Sequence, residues 1–191
     1  MDVSRIAIVG AGVRGLSSAA CLKQRGHTVR VFDQAPRIGG IWDRVFPSSS
    51  INTPYFGYTF HATNVWPRTY PTRDEILSNL SRLVQVEGLE QALRLNTPVV
   101  CVHRSESHRW AINGERERYD GVLVCTGITN RPKDPDPDRI KAYSGSLLRP
   151  YGFDPGRVRG QKVVIVGSGA TAWERLKLCL YQGCAQATVL T

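Results

Sequence analysis

The sequence RIAIVGAGVRG, residues 5–15, decides the fold of this chain. Its first five residues are apolar at nearly every position, which is typical of a strand buried on both faces of a parallel sheet. The glycine-rich residues after the strand predict a tight turn, and a helical stretch from Leu16 to Gln24 follows and stops near Gly26. A second strand, Thr28 to Phe32, completes a βαβ unit.

The turn at residues 10–15 has the form G-x-G-x-x-G, which predicts a dinucleotide site. The first glycine permits the turn, the second lets the backbone approach a pyrophosphate, and the third lets helix and strand pack closely. The start of the helix then offers free N–H groups to phosphate. Asp33 ends the second strand, where a carboxylate accepts hydrogen bonds from ribose hydroxyls. The alternative is a chance glycine turn beside a surface carboxylate.

The same unit recurs near the end of the sequence. Residues 161–166 predict another buried strand, and G-x-G-x-x-A follows at residues 167–172. A helix from Ala172 to Tyr181 and a strand from Ala187 to Leu190 come next, with Gly183 between them. Two such turns predict two dinucleotides in an α/β protein with parallel sheets.

The middle of the chain separates the two units. Residues 36–71 predict a long ordered loop, in which His61, Trp66 and Tyr70 either pack the loop, the interpretation we favour, or line a substrate pocket. Further predicted elements are a helix over Arg73–Val86 with Thr72 as its cap and Glu75 three residues on, strands over Val99–Val102, Trp110–Ile112 and Gly121–Cys125, and an irregular linker over Asn130–Asp138.

Composition excludes several classes of function. The chain has 191 residues and a net charge of +9, but its arginines are scattered, so we expect no nucleic-acid partner. We also expect no membrane partner, because no apolar run is long enough to span a bilayer. None of the five cysteines forms a C-x-x-C pair, so we expect no metal site and no redox dithiol. With no secretory signal, a cytoplasmic location is expected.

Beyond the glycine turns, several motifs resemble those of the class B flavoprotein monooxygenases, the flavin-containing monooxygenases, N-hydroxylases and Baeyer–Villiger monooxygenases. Residues 39–42 match the G-G-x-W of that family, and residues 49–54 resemble its L-x-T-N-x-P segment through Asn and Pro only. Residues 124–127 resemble its A-T-G stretch, and the second glycine turn is similar to its NADPH site. The resemblance covers essentially the whole chain, as the N-terminal portion of the family.

The resemblance implies a Rossmann-like FAD-binding domain with a parallel sheet over residues 1–142, a linker over 143–160, and the first βαβ unit of a second, NADPH-binding Rossmann-like domain over 161–191. The FAD residues implied are Gly10, Ala11, Gly12, Val13, Arg14, Gly15, Asp33, Gln34, Gly40, Ile41, Trp42, Asn52, Val99, Thr126 and Gly127, where Val99 falls on a strand beside the adenine. The NADPH residues implied are Gly167, Ser168, Gly169, Ala170, Thr171 and Ala172.

The activity implied is an FAD- and NADPH-dependent monooxygenase that inserts one oxygen atom from O2 into a small organic substrate through a flavin C4a-hydroperoxide. Asn52 is the implied catalytic residue, placed near the flavin and nicotinamide. The alternative for Asn52 is an Asx-turn before Pro54. A disulfide reductase shares the two-turn layout but needs a redox cysteine pair.

The sequence also departs from the family pattern. The histidine of the linker fingerprint is Arg149 here, and the NADP domain of the family continues beyond the point where this sequence stops. The alternative function is therefore a truncated or split, non-catalytic nucleotide-binding subunit, completed by a partner chain or by another copy of itself.

Overall fold

Four parallel strands form the main sheet of the computed structural model, which describes residues 2–104, 108–128, 136–149 and 154–191. In chain order the strands of this sheet are β1 (Arg5–Val9), β2 (Thr28–Phe32), β3 (Leu93–Arg94) and β6 (Gly121–Val124). Their order in space is β3-β2-β1-β6, and Ala7 at the centre pairs with Arg30 on one side and Val122 on the other. Because every strand runs the same way, all their carboxyl ends lie along one edge.

The remaining elements complete the two units and the segment between them. The other strands are β4 (Val102–Arg104), β5 (Trp110–Ile112), β7 (Lys162–Val166) and β8 (Gln186–Leu190). The helices are α1 (Val13–Gln24), α2 (Ile41–Arg44), α3 (Arg73–Val86), α4 (Pro137–Ile140) and α5 (Ala170–Tyr181). Short 3-10 turns lie at Tyr55–Gly57, Glu90–Ala92 and Pro155–Val158.

The core of the first unit lies between the main sheet and two helices. Helices α1 and α3 pack on one face through side chains that are fully buried, namely Leu16, Ala19, Ala20, Ile76, Leu80 and Leu83. On the opposite face, Ala7 and Phe32 pack beside Ile112 of the β4–β5 hairpin and Tyr119, whose ring meets Phe32 edge to face. Burial of one such aliphatic side chain contributes roughly 1.5–3 kcal/mol. The sheet is therefore covered on both sides, which explains the apolar sequence of β1.

The predicted helix over Arg73–Val86 has the predicted bounds and the predicted cap. The Thr72 hydroxyl accepts a hydrogen bond from the Glu75 N–H, and the Glu75 carboxylate accepts one from the Thr72 N–H at 2.8 Å. Helices α1 and α5 begin earlier than the sequence predicts, at Val13 and Ala170, because Gly12 and Gly169 serve as their N-caps.

Two predictions of local structure are wrong. Residues 99–101 form no strand; the strand lies at Val102–Arg104, because Val100 and Cys101 donate their N–H groups to the Asn113 side chain. The predicted linker over residues 130–138 also needs correction at its end, where α4 begins at Pro137. Asp136 caps that turn by accepting from the Asp138 N–H, and proline suits a first helical position. Residues 129–135 lie outside the described residues.

The second unit is a smaller copy of the first. Strands β7 and β8 pair in parallel, and α5 packs on them through a core that includes Ile165, Ala172 and Cys179. The α/β fold with Rossmann-like parallel pairing, expected from the two glycine turns, is confirmed. Among the described residues, the helices are all too short or too polar to cross a membrane.

Candidate functional site

A cavity of about 270 Å³ lies at the carboxyl edge of the main sheet. It is bounded by the first glycine turn, the end of β2, helix α2 and the residues after β6. The residues that line it are Val9, Gly10, Gly12, Val13, Arg14, Phe32, Asp33, Gln34, Ala35, Gly39, Gly40, Ile41, Trp42, Arg44, Tyr58, Thr97, Val99, Cys125, Thr126 and Gly127. This edge is where ligands bind in open α/β sheets.

The first glycine turn folds tightly against the sheet. The Gly10 N–H donates to the Phe32 carbonyl at 2.7 Å, and α1 begins three residues later at Val13. A Cβ on Gly15 would fall 1.8 Å from the Gly10 carbonyl oxygen, so only glycine permits this approach of helix to strand. The third glycine therefore has the packing function that the sequence predicts for it.

Asp33 holds the turn from the side of β2. One of its carboxylate oxygens accepts a hydrogen bond from the Ala11 N–H at 2.6 Å, and the other accepts one from the Ala35 N–H at 2.8 Å. The side chain thus joins the turn after β1 to the loop after β2. It also lines the cavity, so it lies where its carboxylate is available to ligand hydroxyls.

The G-G-x-W segment forms the wall opposite the glycine turn. The Gly39 N–H donates to the Ala11 carbonyl at 2.9 Å, which fixes one turn against the other. A Cβ on Gly40 would lie 3.1 Å from the Gly12 Cα, so any side chain there would press on the turn. Glycine at residues 12 and 40 therefore lets the two backbones come into direct contact.

Trp42 and Tyr58 form an aromatic wall of the cavity. Their rings meet edge to face with centroids 5.8 Å apart, and the Trp42 indole N–H donates to the Tyr58 hydroxyl. Burial raises the pKa of Tyr58, while the bond from Trp42 and the positive charge of Arg14 act in the opposite direction. Burial likewise raises the pKa of Cys125, against the influence of Arg14. Both groups are therefore neutral at neutral pH.

Contacts from two arginines hold α2 in place beside this wall. The Arg73 guanidinium, at the start of α3, donates to the Trp42 carbonyl at 3.0 Å and to the Asp43 carbonyl at 3.4 Å. Arg37 pairs with the Asp43 carboxylate at 3.0 Å. Helix α2 is only four residues long, so these contacts with its carbonyls and side chain fix a segment that has little helical stability of its own.

The structure brings most of the predicted FAD residues together. Gln34, Val99, Thr126 and Gly127 line the cavity with the glycine turn, although Val99 lies outside a strand. Ala11 and Gly15 are buried within the glycine turn and do not line the cavity. Asn52 is exposed and is not among the lining residues.

Tyr58 and Arg44 line the cavity, although no sequence pattern predicted them there. The three side chains His61, Trp66 and Tyr70 do not line it, and two of them pack as the favoured interpretation predicts. His61 pairs with Glu87 at 3.2 Å, and Trp66 packs against the main core, whereas Tyr70 is exposed. No motif marks Tyr58, because its place depends on how residues 45–57 fold back over α2.

The second glycine turn is more open than the first. The Gly167 N–H donates to the Leu190 carbonyl at 2.7 Å, which repeats the bond made by Gly10. Ser168, Gly169, Ala170 and Thr171 are exposed, and Ala172 is buried against the second sheet. A Cβ on Gly169 would meet nothing within 4 Å. Backbone N–H groups at the start of α5 are thus accessible to a ligand.

Helix α5 also contacts the first unit. The Arg175 side chain is buried with its guanidinium 4.3 Å from the centre of the Phe46 ring, and the Ser49 hydroxyl donates to Glu174 at 3.3 Å. Phe46 and Ser49 follow α2, which lines the cavity. One segment of chain therefore touches both glycine-turn units.

Within the ranges that the structure describes, no cluster of potential ligands suits a metal ion.

The sequence of this chain is similar to those of known proteins. Residues 8–74 match the family model of the NAD(P)-binding Rossmann-like domain. A Baeyer–Villiger monooxygenase of Streptomyces coelicolor is 30% identical over 176 residues, which cover 88% of this chain and 34% of that protein. A flavin-containing monooxygenase of Arabidopsis thaliana is 26% identical over 204 residues, which cover 87% of this chain and 44% of that protein.

Solved structures share the fold over almost the whole chain. An oxidised steroid monooxygenase bound to NADP superposes with a TM-score of 0.79 at 21% identity and covers 100% of this chain, which matches 39% of that one. The S-allyl-L-cysteine S-oxygenase of Allium sativum gives a TM-score of 0.78 at 24% identity and covers 98% of this chain, against 51% of its own.

The fold is that of a Rossmann-like α/β protein. More narrowly, the chain is similar in sequence and fold to the class B flavoprotein monooxygenases, and the resemblance noted in the sequence is confirmed. The chain spans less than half the length of the two curated relatives compared above.

Proposed function

We propose that this chain binds FAD in the cavity and NADPH on the second glycine turn, as part of a monooxygenase that transfers one oxygen atom from O2 to a small organic substrate. The observation that carries the proposal is the pair of facing backbones at Gly12 and Gly40, beside Asp33 and the start of α1. The named relatives are monooxygenases, which supports the reaction class.

The residues of the cavity fit a flavin dinucleotide. Gly12 and Gly40 carry no side chains and both line the cavity, so a ligand beside them can approach two backbones closely. The first N–H groups of α1 have no side-chain cap, and they suit a diphosphate. Asp33 offers acceptor oxygens for ribose hydroxyls, and Trp42 with Tyr58 offers an apolar wall for a ring system.

In this proposal FAD supplies hydride acceptance from NADPH and the activation of O2. The chain binds and orients: the turn at residues 10–15 holds the diphosphate, and Asp33 holds a ribose. Trp42 and Tyr58 exclude water from one side of the cavity, because their rings pack against each other and against the main core. The exposed turn at residues 167–172 binds the second dinucleotide.

In this proposal Asn52 acts on the substrate from the loop after α2, outside the lining of the cavity. It is exposed in the loop after α2, two residues before Pro54, and is held there because Ile51 donates its N–H to the Pro71 carbonyl at 3.0 Å. Its carboxamide both donates and accepts hydrogen bonds, which suits a polar group that steadies the reacting centre. Proline has no N–H, so an Asx-turn to Pro54 is chemically impossible, and this removes the simplest structural alternative.

The proposed division of the chain follows the two parallel sheets, β3-β2-β1-β6 and β7-β8. It gives an FAD-binding domain over residues 1–142, a linker over 143–160 and an NADPH-binding segment over 161–191. A non-catalytic subunit that is completed by a partner chain or a second copy is the second candidate. It is favoured by the exposed apolar side chains of the second unit, among which are Val166, Trp173 and Leu190.

The test is to titrate the purified chain with FAD and then with NADPH in the absence of oxygen. Saturable quenching of flavin fluorescence, followed by bleaching of the flavin absorbance on addition of NADPH, is expected. Failure to bind FAD would overturn the proposed function. Binding of FAD without reduction by NADPH would favour the non-catalytic subunit.

A further inference from the structure

The side chains that line the cavity carry more positive than negative charge. Its ionisable lining groups are Arg14, Asp33, Arg44, Tyr58 and Cys125. The phenol and the thiol are neutral because burial raises the pKa of both. One carboxylate therefore faces two guanidinium groups, and that carboxylate already accepts two backbone hydrogen bonds.

Neither arginine forms an ion pair with the part of the chain that the structure describes. In the described ranges, no carboxylate lies within 4.0 Å of either guanidinium group, whereas Arg37 nearby is bound to Asp43 and Arg73 to Asp74. Both residues are exposed and line the cavity, so they are accessible to an incoming ligand.

Arg14 faces the cavity rather than the outer surface of α1. Its charge influences the Tyr58 hydroxyl, which belongs to the long loop, and the Cys125 thiol, which follows β6. These two groups line the cavity from different elements, so a guanidinium near both lies over the opening between them.

The position of Arg14 is also unfavourable for the helix. It is the second residue of α1, whose first turn has no acidic side chain and no side-chain cap, so a cation stands at the positive end of the helix dipole. Helix α3 shows the usual arrangement, with Asp74 and Glu75 in its first turn. An anion between Arg14 and the helix end would reverse this repulsion.

We infer that Arg14 and Arg44 form a two-cation clamp for the diphosphate of the dinucleotide, and so make this site selective for FAD over flavins that lack a diphosphate. The inference rests on the proposed function. Arginine suits the task because its planar fork donates two parallel hydrogen bonds to phosphate oxygens. The clamp adds to the backbone N–H groups of α1, which are present whatever the side chains are.

The experiment compares FAD with riboflavin, which has the same ring system without phosphate. Arg14→Ser and Arg44→Ser are each expected to weaken FAD binding by about three- to tenfold and to leave riboflavin binding unchanged. The affinity of the parent for FAD falls as salt is added, and this salt dependence is smaller in each variant because less charge is screened. Arg14→Lys restores part of the affinity. Arg82→Ser, an exposed change on α3 that removes the same charge, is the matched control.

Two results would overturn the clamp while FAD binding by the parent stands. One is an affinity for FAD in both serine variants equal to that of Arg82→Ser. The other is an equal loss for FAD and riboflavin, because the guanidinium groups would then act on the ring or on the fold. If the parent itself binds no FAD, the proposed function fails and the clamp fails with it.

Discussion

The carboxylate of Asp33 accepts a hydrogen bond from the Ala11 N–H at 2.6 Å, so the residue that directly follows β2 holds the glycine turn that follows β1. The same carboxylate accepts from Ala35 at 2.8 Å. A residue that the sequence assigns to ribose therefore also has a structural role in the turn that would face the phosphates.

Replacement of Asp33 separates these two roles. Asp33→Ala removes both backbone bonds and is expected to lower the free energy of unfolding by about 1–3 kcal/mol. Asp33→Asn keeps one acceptor oxygen and is expected to lose less stability, yet to bind FAD more weakly. Denaturant unfolding and flavin titration measure the two effects. Equal stability of Asp33→Ala and the parent would contradict the structural role.

Substitution of Gly12 tests directly whether FAD binds in the cavity. Its backbone is extended, and a Cβ there would lie 3.5 Å from the Gly40 Cα, so Gly12→Ala fits the folded chain. The added methyl group, or the larger side chain of Gly12→Val, occupies the proposed approach of the diphosphate. We expect an unchanged melting temperature for Gly12→Ala, weakened FAD binding, and no FAD binding for Gly12→Val.

The matched control is Gly57→Ala, where a Cβ would meet nothing within 4 Å and no lining residue is altered. It should bind FAD as the parent does. A Gly12→Val variant that remains fully loaded with flavin would show that the FAD site lies elsewhere.

Gly169 offers the corresponding test at the second turn. A Cβ there would meet nothing within 4 Å, and the backbone is extended, so Gly169→Ala is expected to fold normally. The methyl group would stand beside the N–H groups at the start of α5. We expect unchanged FAD affinity with slower flavin reduction at low NADPH concentration, measured by stopped-flow absorbance. Equal rates at all NADPH concentrations would remove the second turn from the nucleotide site.

Asn52→Ala tests the catalytic role proposed for that residue. Because Asn52 is exposed and outside the lining of the cavity, its loss is expected to leave FAD binding and the melting temperature unchanged. The proposed role predicts that a larger share of the electrons from NADPH reduces O2 to hydrogen peroxide and a smaller share yields oxygenated product. The ratio of peroxide to NADPH consumed is the measurement, and the same ratio in parent and variant would count against the role.

Alkaline titration tests the neighbourhood of Tyr58. Burial raises the pKa of this phenol above its usual value near 10, so its neutral form is favoured in the folded state. The associated stability is present below about pH 10 and is lost as the pH rises toward the higher pKa of the folded state. Tyr58→Phe is expected to reduce this loss.

Arg14→Ser should raise the pKa of Tyr58 further, because the positive charge that favours the phenolate is removed. Difference absorbance of tyrosinate between each variant and the same variant with Tyr58→Phe isolates the one phenol. An unchanged pKa in Arg14→Ser would place the guanidinium away from the cavity.

Local sequence was sufficient for much of the fold. Strands β1 and β2 and helix α3 begin and end where the pattern predicts, because their apolar periodicity and the Thr72–Glu75 capping box are local features. The prediction of a strand was wrong where the backbone forms hydrogen bonds with a side chain that is distant in the sequence. Residues 99–101 have a sequence suited to a strand, but Val100 and Cys101 donate their N–H groups to the Asn113 side chain.

The candidate site divides in the same way. By itself the sequence determined the two glycine turns and Asp33, since each follows a strand at a spacing that fixes backbone geometry, and the resemblance to a known family pointed to the G-G-x-W segment. Only the tertiary structure decided that Gly40 faces Gly12, that Tyr58 meets Trp42, and that Arg14 and Arg44 share one rim. These relationships join residues from separate elements, and they depend on how those elements pack against one another, which no local pattern encodes.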